Sequence, residues 1–419
     1  MEFILLIQNI FILGFVHVVR LVLPLLALPL LAHVVTPEDF GLYMYAVSLS
    51  AWMSVFIEYG FNISATREAA LAADRAGLVA VVRGTQSAKL LLTFATLPIP
   101  LLASFLVPAL VGHPGWSLTS WLLAVITAFV PIYFFQGRER LKIVAASEAV
   151  AGVMTIVAIA VFVTDSSQFP RLPLILLSAR IVALAILTAA MCRDIGTGIW
   201  DLFDLRCGMR SLRSAFHLFV FQAAVSFYTS FNVVFLGFFC SPAQVGIYAS
   251  AERLMRAGLG FMAQCSNAIF PRLNALRLAD PAKMMKLRRK VLIGFVAAGV
   301  AGVFVTWLIA PPVVAYMFGR DLQEIDEILN ILALVIPAIA ISNVLGIQYL
   351  LVEKKEKVFN QVIGCASFVN LAIAYPMVMK HGVHGMATTW VMIEWMISIA
   401  LTIIVIVSKR RGATLTLLD

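Results

Sequence analysis

Residues 36–71 recur at a fixed offset of 205 residues, and a duplication of this kind constrains the fold more than any other feature of the chain. Laid without gaps on 241–276, the segment gives 10 identities in 36 positions. Thr36-Pro37-Glu38-Asp39-Phe40-Gly41-Leu42-Tyr43 falls on Ser241-Pro242-Ala243-Gln244-Val245-Gly246-Ile247-Tyr248, and Ala46, Leu49, Phe56, Asn62, Arg67, Ala70 and Leu71 meet their own kind. Ordinary residue frequencies give about two or three matches. A shared Pro and Gly is what any two helix starts favour, but the Asn62/Asn267 and Arg67/Arg272 pairs lie well inside the segment. The chain reads as two similar halves, 1–205 and 206–419.

Composition says what those halves sit in. The chain is 62% hydrophobic and 13% charged, with a mean hydropathy of +0.97, and the apolar residues lie in long runs. It is expected to be an all-α polytopic membrane protein. Twelve spans are predicted, near 5–32, 40–60, 85–109, 117–136, 142–163, 172–192, 214–239, 246–270, 291–318, 327–351, 359–379 and 386–408. Strands would alternate every second residue, so helices are the spanning form. The first run exceeds a signal-peptide core and has no clean small-residue cleavage site, so it is kept as the first helix.

Basic residues set the orientation. The loops after the odd-numbered spans carry Arg171, Arg320 and Lys380, whereas the other loops and the C-terminal tail, counting Lys142 at the start of the fifth span, carry 23 Lys or Arg. Both termini are therefore expected in the cytoplasm. The net charge of +9 belongs to this asymmetry and gives no reason to invoke nucleic acid. The basic 272–290 segment reads as a cytoplasmic loop that helps set topology and can touch anionic lipid. With six spans per half, the two six-helix lobes point the same way, as a parallel repeat about an axis along the membrane normal. A cavity between them is the expected binding site.

Several absences narrow the activity. No loop is long enough for a soluble catalytic domain. The sequence has neither a phosphate-cradling Gly-x-x-x-x-Gly-Lys-Ser/Thr loop nor a His-Glu-x-x-His pair. Cys192, Cys207, Cys240, Cys265 and Cys365 lack metal spacing. The expectation is a protein with no metal, no cofactor and no catalytic residue.

Polar residues inside the spans carry the functional information, because a charge at the bilayer centre costs about 3 kcal/mol on insertion scales. Arg20 lies about halfway along the first span, one turn beyond His17. Arg253 and Arg256 are three apart and share a helix face, which Gly260, Gln264 and Asn267 continue. The seventh span sets Gln222, Ser226, Thr229 and Ser230 at helical spacing, and the second sets Tyr43, Ser50, Ser54 and Glu58. The candidate substrate-binding residues are Arg20, Arg253, Arg256, His17, Gln222, Gln264 and Asn267.

A structural alternative stands beside this. Glu252 can satisfy Arg253, and Glu58 or Glu148 can satisfy another Arg; Arg180, Glu148 and Glu394 read equally well as structural ion-pair residues, and His17 as a hydrogen-bonded helix residue. The repeat bears on the choice. At the offset of 205, Arg253 aligns with Ser48, Arg256 with Ala51 and Arg20 with Val225, so the basic residues depart from the duplicated pattern. Guanidinium grips phosphate through a fork and keeps its charge throughout. The expected lumen suits an anion such as a phosphate.

Four segments resemble a known family: Leu-Ala-His-Val-Val-Thr-Pro-Glu-Asp-Phe-Gly-Leu-Tyr at 31–43, Glu-Tyr-Gly-Phe-Asn-Ile-Ser-Ala-Thr-Arg-Glu at 58–68, Phe-Phe-Gln-Gly-Arg-Glu-Arg at 134–140 and Gly-Ile-Tyr-Ala-Ser-Ala-Glu-Arg at 246–253. They look like the Wzx-type O-antigen and exopolysaccharide flippases, the polysaccharide transporters of the multidrug/oligosaccharidyl-lipid/polysaccharide exporter superfamily. The resemblance implies the MATE-like V-shaped fold of twelve transmembrane helices. It also implies passage of an undecaprenyl-pyrophosphate-linked oligosaccharide across the bacterial cytoplasmic (inner) membrane, among membrane lipids, with a polysaccharide polymerase and a chain-length regulator as candidate partners. The alternative is a MATE-like secondary antiporter of drugs or amphipathic metabolites, which should depend on Glu58, Glu148 or Glu394 rather than on arginine.

Overall fold

A computed structural model describes residues 23–319, 322 and 324–415. Among them there is no β-strand, and eight helices are long and apolar enough to cross a bilayer. The helices in chain order are α1 (Leu23–Ala32), α2 (Pro37–Glu58), α3 (Phe61–Leu71), α4 (Arg75–Thr96), α5 (Pro98–Leu106), α6 (Pro114–Phe129), α7 (Ile132–Gly137), α8 (Leu141–Phe162), α9 (Leu172–Ile195), α10 (Leu205–Thr229), α11 (Phe231–Leu236), α12 (Pro242–Ala279), α13 (Pro281–Phe318), α14 (Glu324–Ala333), α15 (Val335–Asn343) and α16 (Glu356–Leu415). The protein is an all-α, multi-pass membrane protein. By contacts it divides into two compact units, 1–246 and 247–419, with the division inside α12.

Local sequence explains where these helices begin and end. Thr36 caps α2 through its hydroxyl, which accepts from Asp39 N at 3.2 Å, with Pro37 at the first helical position, where its missing N–H costs nothing. The repeat partner is built the same way. Ser241 Oγ accepts from Gln244 N at 3.4 Å and Gln244 Oε1 accepts from Ser241 N at 3.3 Å, a reciprocal capping box in front of α12. Pro98 opens α5 directly after α4, and Pro131 separates α6 from α7, since proline cannot donate into the preceding turn. Gly382, at φ 55° and ψ −131°, interrupts α16; it divides α16 between the two predicted spans 359–379 and 386–408.

In the first unit α2 packs on α6, α10 on α4, α8 on α9 and α3 on α7. The two repeat copies meet here. A Cβ on Gly41 would overlap the carbonyl of Pro242, and one on Gly246 would run into the Cα of Gly41. In the second unit α13 packs on α14 and α15, and α15 on α16. Between α15 and α16 the chain makes a π-helical stretch, Val344–Leu351.

One sequence expectation is corrected. The 272–290 segment is not a loop: α12 continues to Ala279, Asp280 caps the next helix by accepting from Lys283 N at 2.9 Å, and α13 starts at Pro281. A cap followed by Pro is a helix start, so the charges sit on helix rather than loop. Arg288 is 1% exposed, 2.9 Å from Glu353 and 4.5 Å from the centroid of the Tyr349 ring. Its side chain is committed to the protein rather than to lipid headgroups.

Candidate substrate site

The polar face read from the sequence is borne by α12. Arg253, Arg256, Gly260, Gln264 and Asn267 all lie within this helix, and their spacings of three and four residues keep them on one side over about 21 Å. Arg253, Arg256 and Gln264 are half-buried and Asn267 is exposed.

Arg256 organises the centre of this face. Its Nε donates to Glu252 Oε1 at 2.9 Å, and Nη2 reaches the same oxygen. The guanidinium carbon lies 4.8 Å from the ring centroid of Trp390 on α16, inside the range of a cation–π contact. Trp390 Nε1 donates to Glu394 Oε1 at 3.2 Å. Glu252 and Glu394 are each 5% exposed and Trp390 is 2% exposed, whereas the Arg256 side chain remains 37% exposed. The result is a cation resting on a buried aromatic plate, steadied by one carboxylate on its own helix and approached by a second from α16. Such a guanidinium can exchange a carboxylate for another oxyanion without moving far.

The other candidates separate. Gln222 lies in the first unit, where its Nε2 donates to Asn62 Oδ1 at 3.1 Å, tying α10 to α3. Asn62 is the repeat counterpart of Asn267. Arg20 and His17 lie outside the described residues. Glu148 and Arg180 form a 3.0 Å ion pair between α8 and α9, in line with their structural reading. Glu252, which the sequence offered to Arg253, is bound by Arg256.

Two features escaped the sequence reading. Trp390, now the plate under Arg256, was hidden in an apolar span; a Trp four residues before a Glu was the available signal. Lys89 is 3% exposed within α4, donates to Ala128 O at 2.6 Å and lies 4.9 Å from the centroid of the Tyr133 ring. A backbone acceptor and a ring face satisfy it, so it serves packing. Among the described residues no three His, Cys, Asp or Glu side chains gather in a group that could hold a metal ion.

Comparison with known proteins places this geometry in context. A family described as polysaccharide biosynthesis protein matches residues 6–276. The "Putative O-antigen transporter" of Escherichia coli (strain K12) is 28% identical over 396 residues, covering 93% of this chain and 94% of that protein. Among solved structures, the lipid II flippase MurJ in an inward closed conformation superposes with a TM-score of 0.72 at 13% identity, over 95% of this chain and 87% of that one. An inward-facing MATE family multidrug transporter of the MOP superfamily superposes with a TM-score of 0.61 at 14% identity, over 97% and 95%. The fold is the MATE- and MurJ-like one.

Proposed function

Because this chain belongs to the polysaccharide biosynthesis protein family, we propose that it is a flippase for undecaprenyl-pyrophosphate-linked oligosaccharides, moving them from the inner to the outer leaflet of a bacterial cytoplasmic membrane. The protein is a transporter and not an enzyme, in keeping with its relatives and its fold. The observation that carries the substrate assignment is the Arg256 centre, a half-exposed guanidinium fixed on Trp390 beside Arg253.

The chemistry follows from exchange. In the absence of substrate, Glu252 neutralises Arg256. A pyrophosphate offers several strong acceptor oxygens to the same fork, so its arrival displaces Glu252 and substitutes for the water the phosphates leave behind. Arg253, Gln264 and Asn267 extend the face for the remaining phosphate and for sugar hydroxyls. The isoprenoid tail remains in an apolar environment throughout. Both termini lie in the cytoplasm on this reading, and a polymerase and a chain-length regulator would take the product on the far side.

A second reading has its own observation. Glu252 and Glu394 are buried carboxylates, which suit a cation-coupled antiporter of amphipathic compounds. Proteoliposomes separate the two. With purified protein and a fluorescent undecaprenyl-pyrophosphate-linked oligosaccharide, the wild type should expose the label to the opposite leaflet; Arg256→Ala and Arg256→Glu should abolish this, and Arg256→Lys should keep part of it because charge survives without the fork. Unchanged flipping by Arg256→Ala at wild-type abundance would remove the phosphate assignment. Loss confined to Glu252→Gln and Glu394→Gln would favour the antiporter.

A further inference from the structure

Pro271 lies inside α12 and has no N–H for the carbonyl of Asn267, so it weakens the helix just where the candidate face ends. At the offset of 205 it falls on Thr66, whose hydroxyl donates to Asn62 O at 2.6 Å. The first half carries a tie at this position and the second a gap in the ladder.

Both sides of that gap are fastened to the π-helical stretch Val344–Leu351 and the turn after it. Before the proline, Gln348 Nε2 donates to Ser266 O and to Ser266 Oγ, each at 2.9 Å. After it, Arg277 Nη1 donates to Val352 O at 2.7 Å, and Val352 packs in a small apolar cluster with Leu273 and Met284. Arg288, at the start of α13, holds Glu353 and lies over Tyr349. Gly346 leaves room for the Phe359 ring of α16, which a Cβ would meet at 2.5 Å.

The stretch held in this way carries several costs. Eight residues is long for a π-helix, a form met mainly as single-turn bulges at functional sites. Lys354, in the turn behind it, is a non-glycine residue at φ 59°, a conformation that persists only where its surroundings impose it. Gln348 is fully buried, yet its Oε1 has no hydrogen-bond partner among the described residues, and neither do Asn343 Oδ1 nor Nε and Nη2 of the buried Arg288. A rare backbone form and unpaired polar groups in one place bring a second arrangement close in free energy.

Resting on the flippase reading, we propose that Val344–Leu351 is the switch of the second unit, passing between π-helical and α-helical pairing as substrate is moved. Replacing i→i+5 bonds by i→i+4 bonds releases one residue into the turn at 352–355 and rotates the side chains beyond it by about 100°. Gln348 then leaves Ser266, and Leu345 or Ile347 meets Phe359 in place of Gly346. The first change frees α12 to bend at Pro271, next to the Arg253–Asn267 face. The second displaces the start of α16. One stretch thereby biases both helices, as a two-state element must.

The test uses the full-length protein in proteoliposomes with the fluorescent undecaprenyl-pyrophosphate-linked oligosaccharide. With the five native cysteines changed to serine, Ser266→Cys/Gln348→Cys should form a disulfide on oxidation. Flipping should then fall about tenfold and return on reduction, with equilibrium binding of the lipid unchanged. Pro271→Ala should slow flipping in the same direction and spare binding. In the wild type, amides of 344–351 should exchange hydrogen about tenfold faster than those of α15, and the disulfide should remove the difference. Unchanged flipping by the oxidised pair or by Pro271→Ala, or exchange as slow as that of α15, would overturn the switch. If the cysteine pair fails to accumulate or to cross-link, exchange in the wild type decides. A wild type that exchanges fast at 344–351 but moves no oligosaccharide lipid defeats the flippase reading and leaves the switch standing.

Discussion

The Arg256 guanidinium lies over Trp390, its carbon 4.8 Å from the indole centroid, and the indole N–H is committed to Glu394. Trp390 thereby fixes the height of the cation and turns Glu394 towards the ring edge. A Trp390→Leu change removes a contact of about 1–2 kcal/mol at a desolvated site and strands a buried carboxylate. Substrate affinity should fall by roughly tenfold, with a smaller loss for Trp390→Phe, which keeps the ring face. Equilibrium binding of the pyrophosphate lipid to both variants measures this.

The asymmetry of basic residues predicts topology. Reporter fusions should place residues 37, 166 and 242 outside and residues 75, 140, 280 and 355 inside. A cytoplasmic signal at residue 242 would defeat both the orientation and the parallel repeat.

Glu148 is buried and held by Arg180 at 3.0 Å. Removing only the arginine takes its cation away from a buried carboxylate, which costs up to about 3 kcal/mol. Arg180→Ala should therefore lower thermal stability in detergent clearly. The double change Arg180→Met/Glu148→Leu should recover most of it, and the coupling is read from the double-mutant cycle.

Asp204 caps α10, accepting from Arg206 N at 2.8 Å and from Cys207 N at 3.4 Å. Its carboxyl is held below the usual range, first by the Cys207 thiol and then by these two backbone groups. The sign follows from that depression. The ionised cap stabilises the helix start above the ordinary aspartate value of about 3.9, and the contribution is lost as pH falls through the lower folded-state value. Hydrogen exchange at Arg206 and Cys207 should accelerate on acidification within that window, and Asp204→Asn should flatten the response.

The repeat crossing gives a stability prediction. Gly41→Ala and Gly246→Ala each drive a methyl group into backbone, so each should sharply reduce the protein recovered from membranes. Gly258→Ala, which meets open space, should not. Quantified membrane abundance of the three variants decides this.

How far the sequence reached depended on whether a property was local. Helical spacing alone gathered Arg253, Arg256, Gln264 and Asn267 on one face of α12, because three- and four-residue steps fix a face before any tertiary contact exists. Sequence adjacency offers Glu252 to Arg253 as one alternative, but neighbouring residues diverge around a helix while residues four apart meet, and Glu252 reaches Arg256. The plate under Arg256 was not legible, since it depends on where α16 packs. Charge density at 272–290 read as a loop, although Asp280-Pro281 carried the signature of a second helix start within it.

The meeting of Gly41 with Pro242 and Gly246 carries a consequence for how such a chain can change. At most buried contacts a larger residue on one side can be accommodated by a smaller one opposite, so substitutions accumulate in pairs. Here the obstacle on either side is main chain, which no substitution can shrink, and both positions already hold the smallest residue. The two copies of the duplicated segment can drift apart nearly everywhere else, as Ser48 and Arg253 have done, yet this crossing offers no compensating route. It is a place where the two related segments remain bound to the same answer.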